Sequence, residues 1–162
     1  MLKKSNQKGF TIIEVLIVLA IAGLIIAIVL FAVPALQRNS RNTAIKSDAS
    51  QLLSYISDFN ANNSGAVPTV AASSVTNGNV TINNASGSSS TGKIQSGTTV
   101  TFTTATTEVT PTTGTITVVI GGKCPDSVSG TKVTPVASAR SAALIFAIET
   151  SGSALAAQCM GS

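Results

Sequence analysis

From Phe10 to Val33 the chain reads FTIIEVLIVLAIAGLIIAIVLFAV, 24 positions whose single charge is Glu14. At a rise of 1.5 Å per residue this run makes a helix of roughly 36 Å, enough to cross a ~30 Å hydrocarbon core. It predicts a membrane-competent helix, and no ionisable side chain follows until Arg38. Pro34 offers no amide hydrogen and clashes with the turn before it, so it is expected to end or kink this helix. Beyond it, Ile45, Ala49, Leu52, Ile56 and Phe59 recur at spacings of 4, 3, 4 and 3, which predicts a second, amphipathic helical half. Arg41, Lys46, Asp48 and Asp58 fall largely off that stripe. The Asn-Asn-Ser-Gly at Asn62 to Gly65 predicts its end.

From Ser64 the period changes. Val80 and Ile82, then Val100 and Phe102, then Ile116, Val118 and Ile120 alternate with polar residues, predicting short antiparallel strands. Between Ser64 and Pro135, 28 of 72 residues are Ser or Thr, and Thr is itself a good strand former. One face of the sheet is therefore expected to be apolar and the other lined with Thr. Asn77-Gly78, Ser86 to Ser90 and Gly121-Gly122 read as turns, and Ser64 to Asn79 and Ala85 to Gly97 as loops. At the C-terminal end, Ala142 to Thr150 alternates, Thr150 to Ser153 forms a turn, and Ala154 to Cys159 returns as the second strand of a hairpin.

Charge and composition narrow the chemistry. Charged residues are 10% of the 162, against about 25% in ordinary soluble domains, and there is no His, the commonest general base and metal ligand. Gly87 to Lys93 approaches a phosphate-binding loop, but Ile94 stands where Ser or Thr would be needed. Ser90 to Lys93 and Ser129 to Lys132 match S-x-x-K without the companion motifs of acyl-enzymes. Asn62, Asn79 and Asn84 begin N-x-[ST] sequons, a weak signal in so Asn-, Ser- and Thr-rich a chain. No catalytic residue, metal ligand set or cofactor site is read here.

Cys124 and Cys159 are the only two cysteines, both in the Ser/Thr-rich zone. The composition favours a disulfide in an oxidising compartment over two separate buried thiols. Closing that loop is worth roughly 3.5 to 4 kcal/mol on the chain-entropy estimate. The lysines before the apolar run (Lys3, Lys4, Lys8) and the cations after it (Arg38, Arg41, Lys46) nearly balance, so their count does not orient the span. A disulfide would place the C-terminal zone outside.

KGFTIIEVLIVLAIAGLI resembles the N terminus of type IV prepilins, the class III leader shared by the type IV pilin and pseudopilin superfamily. Lys8, Gly9, Phe10, Thr11 and Glu14 carry the likeness: a basic leader, Gly, Phe, and a long apolar run with Glu as the fifth residue after the cut. The resemblance implies cleavage between Gly9 and Phe10 by a prepilin peptidase and N-methylation of Phe10. An assembly platform with its ATPase would then extract the subunit from the cytoplasmic membrane into a homopolymeric extracellular filament. Phe10, Thr11 and Glu14 would be the assembly residues, with Glu14 paired to the amine of Phe10 in its own chain or a neighbour's; the alternative for Glu14 is a snorkelling carboxylate without a partner. Ala20, Gly23 and Ala27 would allow close helix approach. Pro34 lies about one turn later than the proline of many pilins.

The expected fold class is α+β: a long N-terminal helix, half transmembrane and half amphipathic, packed on a small antiparallel sheet. The expected layout is leader 1–9, assembly helix 10–34, amphipathic half 35–63 and β-rich head 64–162. The chain would be a single-pass precursor with its head outside, then an extracellular pilus subunit for adhesion, motility or DNA uptake. Without the leader, 7 Lys plus Arg face 6 Asp plus Glu, which gives no specific nucleic-acid surface. The alternatives are a secretion or competence pseudopilin or minor pilin, and, more distantly, a surface protein on an uncleaved anchor.

Overall fold

The computed structural model describes residues 9–70, 73–95, 97–104, 107–128, 130–151 and 154–161. Leader positions 1–8, Ser129 and the turn positions Gly152 and Ser153 lie outside the described residues. The chain divides into two compact units, one ending at Gln37 and the other starting at Arg38.

One helix, α1 (Ile12–Asn62), runs through both halves of the helical pattern. The expected ending at Pro34 does not occur, because Pro34 sits inside α1. A proline there removes one amide donor, and the α-helical turns on either side continue without it. At the far end, the Gly65 amide donates to the Asn60 carbonyl at 2.7 Å, with Ser64 at φ 56° and Gly65 at φ 79°. These left-handed residues close the last turn, which is where the Asn-Asn-Ser-Gly signal put the stop.

Among its described residues the second unit carries seven strands: β1 (Ser74–Thr76), β2 (Asn79–Asn83), β3 (Ser89–Lys93), β4 (Thr99–Thr103), β5 (Thr115–Lys123), β6 (Val136–Glu149) and β7 (Leu155–Gly161). They form a three-stranded sheet in the order β1-β2-β3 and a four-stranded sheet in the order β4-β5-β6-β7. The fold is α+β. β4 and β5 pair in parallel, with Thr99 opposite Thr115 and Thr101 opposite Thr117, so the sheet is mixed, not purely antiparallel.

Two segments read as loops are strands. β1 lies within 64–79 and β3 within 85–97, because pairing to β2 on both sides outweighs the weak strand propensity of Ser and Gly. Asn77 (φ 51°) and Gly78 (φ 76°) make the tight turn between β1 and β2. Gly121-Gly122 is no turn. The register of β5 against β6 shifts between Ile120 and Gly122, with Gly121 at φ 76°, so the pair is a bulge inside a longer strand.

The core explains which faces are covered. Ile45, Ala49, Leu52, Ile56 and Phe59 of α1 are all buried, against Ile116, Val118, Ala142, Leu144 and Phe146. The opposite face is not simply a Thr surface: Val119, Ala143, Ile145 and Ala157 form a second buried cluster with Val133. Val109 and Val133 bridge each other there, with amide-to-carbonyl distances of 2.8 and 2.9 Å. The connections flanking β5 thus cover the second face, which is why β6 is apolar at consecutive positions. Asp48 also departs from expectation. It is buried, accepting from the Gln95 amide at 3.1 Å and from the Thr98 hydroxyl, and so holds the β3–β4 connection against α1.

Candidate functional site

The first turn of α1 is built by Thr11 and Glu14. Glu14 Oε2 accepts from the Thr11 amide at 2.9 Å and from the Thr11 hydroxyl at 2.7 Å. The Glu14 amide donates back to Thr11 Oγ1 at 3.4 Å. This is a reciprocal capping box, with Thr11 as the N-cap and Glu14 three residues on. The T-x-x-E spacing of Thr11 and Glu14 is the sequence signal for it. The structure therefore joins Thr11 to Glu14 and gives the carboxylate a partner at the start of an apolar helix. Phe10 is 88% exposed. The nitrogen of Phe10 is a peptide amide while Gly9 is attached.

Among the described residues, the side chains from Ile12 to Leu36 are all exposed: Leu19 is 62% exposed, Leu30 69% and Phe31 85%. Such a run exceeds any apolar patch that a protein leaves to water. The helix is long and apolar enough to cross a membrane. A Cβ placed on Gly23 would meet nothing within 4 Å, so that position is open to a close neighbour.

Residues 4–32 match the family profile of the prokaryotic N-terminal methylation motif. The chain carries the class III leader of type IV pilins. The match covers less than a fifth of the chain, and comparisons with curated proteins and with solved structures found no match. The motif supports a prepilin-type protein, pilin-like or pseudopilin-like. Such a motif implies in general processing by a prepilin peptidase and polymerisation into filaments. The leader and the apolar helix fit a membrane-anchored precursor and a surface pilus.

In the second unit, Cys124 and Cys159 form a disulfide with Cα atoms 5.8 Å apart, closing a separation of 35 residues. It ties the chain just after β5 to β7, across the intervening β6. Among the described residues, no three of His, Cys, Asp and Glu gather as metal ligands would. Polar contacts concentrate instead where α1 enters this unit. Arg41 meets Glu149 in a two-pronged pair, Nε to Oε1 at 2.8 Å and Nη2 to Oε2 at 2.6 Å. The Asn42 side-chain amide donates to the Glu149 carbonyl and accepts from the Glu149 amide, both at 2.8 Å. Arg38 donates to the Thr150 carbonyl at 3.2 Å. The hydrogen bonds from Arg41 hold the Glu149 carboxyl below the ordinary glutamate range and raise Arg41 in turn; partial burial opposes both shifts. Nothing in the spacing of residues more than 100 apart signals this cluster.

Proposed function

We propose that the chain is the subunit of a type IV pilus, cut after Gly9 by a prepilin peptidase and N-methylated on Phe10. The observation that carries this reading is the joining of a matched methylation motif to a helix whose apolar side chains are exposed from Ile12 to Leu36. Lipid covers that helix before assembly, and neighbouring copies of it cover it in the filament. A carboxylate near the end of a membrane helix is costly, by up to about 2.5 to 3.5 kcal/mol if it lay at the centre. The Thr11 cap lowers that cost in the precursor. On cleavage, a free amine appears at Phe10 and gives Glu14 a cationic partner in its own chain or the next, which sets the register between helices. Peptidase, platform and ATPase are separate proteins.

Substituting Glu14→Val tests the pairing. Leader cleavage should persist while fibres recovered by shearing fall at least tenfold; normal piliation would refute the pairing. Recovery of the wild-type chain as an abundant sheared fibre supports the pilus subunit, whereas its absence from such fibres would replace this reading with a pseudopilin or minor pilin.

A further inference from the structure

The first turns of the second unit, residues 38–44, read RNSRNTA and include no large apolar side chain. They are held to the sheet by five hydrogen bonds between Arg38, Arg41 and Asn42, which share one helix face, and Glu149 and Thr150 at the end of β6, four donated from α1 and one from the Glu149 amide. Beneath them lies a cavity of about 230 Å³, lined among others by Ala44, Ile45, Thr98, Gly114 and Ala147. The first close-packed apolar anchor on α1 is Ile45, and Asp48 and Ala49 follow. A segment attached by polar contacts opens at lower free energy than one locked by core packing.

We propose that Arg38, Arg41 and Asn42 form an acid-releasable latch on the β6–β7 hairpin, whose opening frees residues 38–44 while the core from Ile45 onward stays packed. Without the hairpin contacts the turns over residues 38–44 open, which exposes their amides and lengthens by seven residues the stretch of α1 not held by the sheet. The latch opens because its strongest element is a charge pair. Protonating Glu149 removes the acceptor charge that Arg41 grips, and the hairpin backbone is then held by Asn42 and Arg38 alone. The charged groups facing Glu149 are Arg41 and Arg38, both from α1; the cavity walls from the β3–β4 and β4–β5 connections (Gln95, Gly97, Thr98, Thr113, Gly114) carry no ionisable side chain. A depressed carboxyl stabilises the closed form above the ordinary glutamate range, and the contribution is lost as pH falls through the depressed value. The latch is closed at neutral pH and released in acid. This is a property of the single subunit, independent of whether it polymerises.

Hydrogen exchange read by mass spectrometry on the full chain in detergent micelles tests it, with rates corrected for intrinsic pH dependence. At about pH 7, Glu149→Gln and Asn42→Ala should each lower protection of residues 38–44 by about threefold to tenfold, with residues 45–59 and β5–β6 unchanged. Wild-type protection of 38–44 should fall as the pH is lowered from neutral to below the ordinary glutamate range, and Glu149→Gln should lack that step. Unchanged protection of 38–44 in both variants would overturn the latch. So would a loss shared equally by β5–β6, or an acid step that persists in Glu149→Gln.

Discussion

A Cβ on Gly92 would stand 2.3 Å from Cε2 of Tyr55, because the ring lies flat across β3. The Tyr55 hydroxyl then donates to the Lys93 carbonyl at 3.0 Å and accepts from the Lys93 amide at 3.2 Å, occupying the outer edge of the strand. Gly92→Ala should therefore cost about 1–3 kcal/mol, as the ring is displaced and the edge bonds stretch. Tyr55→Phe, which keeps the ring and removes the hydroxyl, should cost about 1 kcal/mol. Denaturant unfolding of the full chain measures both; wild-type stability in Gly92→Ala would contradict this placement of the ring. At this scale the sequence was partly legible. The Thr11–Glu14 cap is written in its spacing. The burial of Asp48 is not, because a carboxylate on an amphipathic helix reads as solvent-facing until the loop that satisfies it, Gln95 to Thr98, is in place. The Arg41–Glu149 and Asn42–Glu149 contacts are equally silent, since their partners meet only through the tertiary fold.

Elements with a strong period were readable: the stripe from Ile45 to Phe59 is the core face of α1, and the alternating runs at 80–82, 100–102 and 116–120 lie in β2, β4 and β5. Elements defined by their neighbours were not. β3, with the sequence SSTGK, has almost nothing apolar to mark it, and only its register with β2 makes it a strand. The parallel pairing of β4 with β5 is likewise a matter of tertiary register and not marked by the residues that pair. These connections also decide the second face. Cys124 anchors one of them to β7, so the disulfide holds the cover over Val119, Ala143 and Ile145. Cys124→Ser should lower the unfolding free energy by about 3–4 kcal/mol, and unfolding under reducing conditions should erase the difference from wild type. An unchanged urea midpoint in Cys124→Ser would show that the cover does not depend on the bond.

The whole molecule joins two kinds of surface. From Ile12 to Gln37 the described chain is a helix with an exposed apolar surface, and from Arg38 it is a folded unit that buries its apolar residues on both sides of one sheet. The low charge has two sources: a helix made for lipid or for other helices, and a head of Ser and Thr. Of the +4 net charge of the chain, the three lysines before Gly9 account for most. The proposed role therefore turns on one peptide bond, since cleavage after Gly9 removes that charge and creates the amine that Glu14 is placed to meet. The intact mass and N-terminal sequence of the protein recovered from its native membrane or surface fibres test this most directly. The account predicts a chain beginning at Phe10 and heavier by one methyl group on its amine; a chain still beginning at Met1 would contradict it.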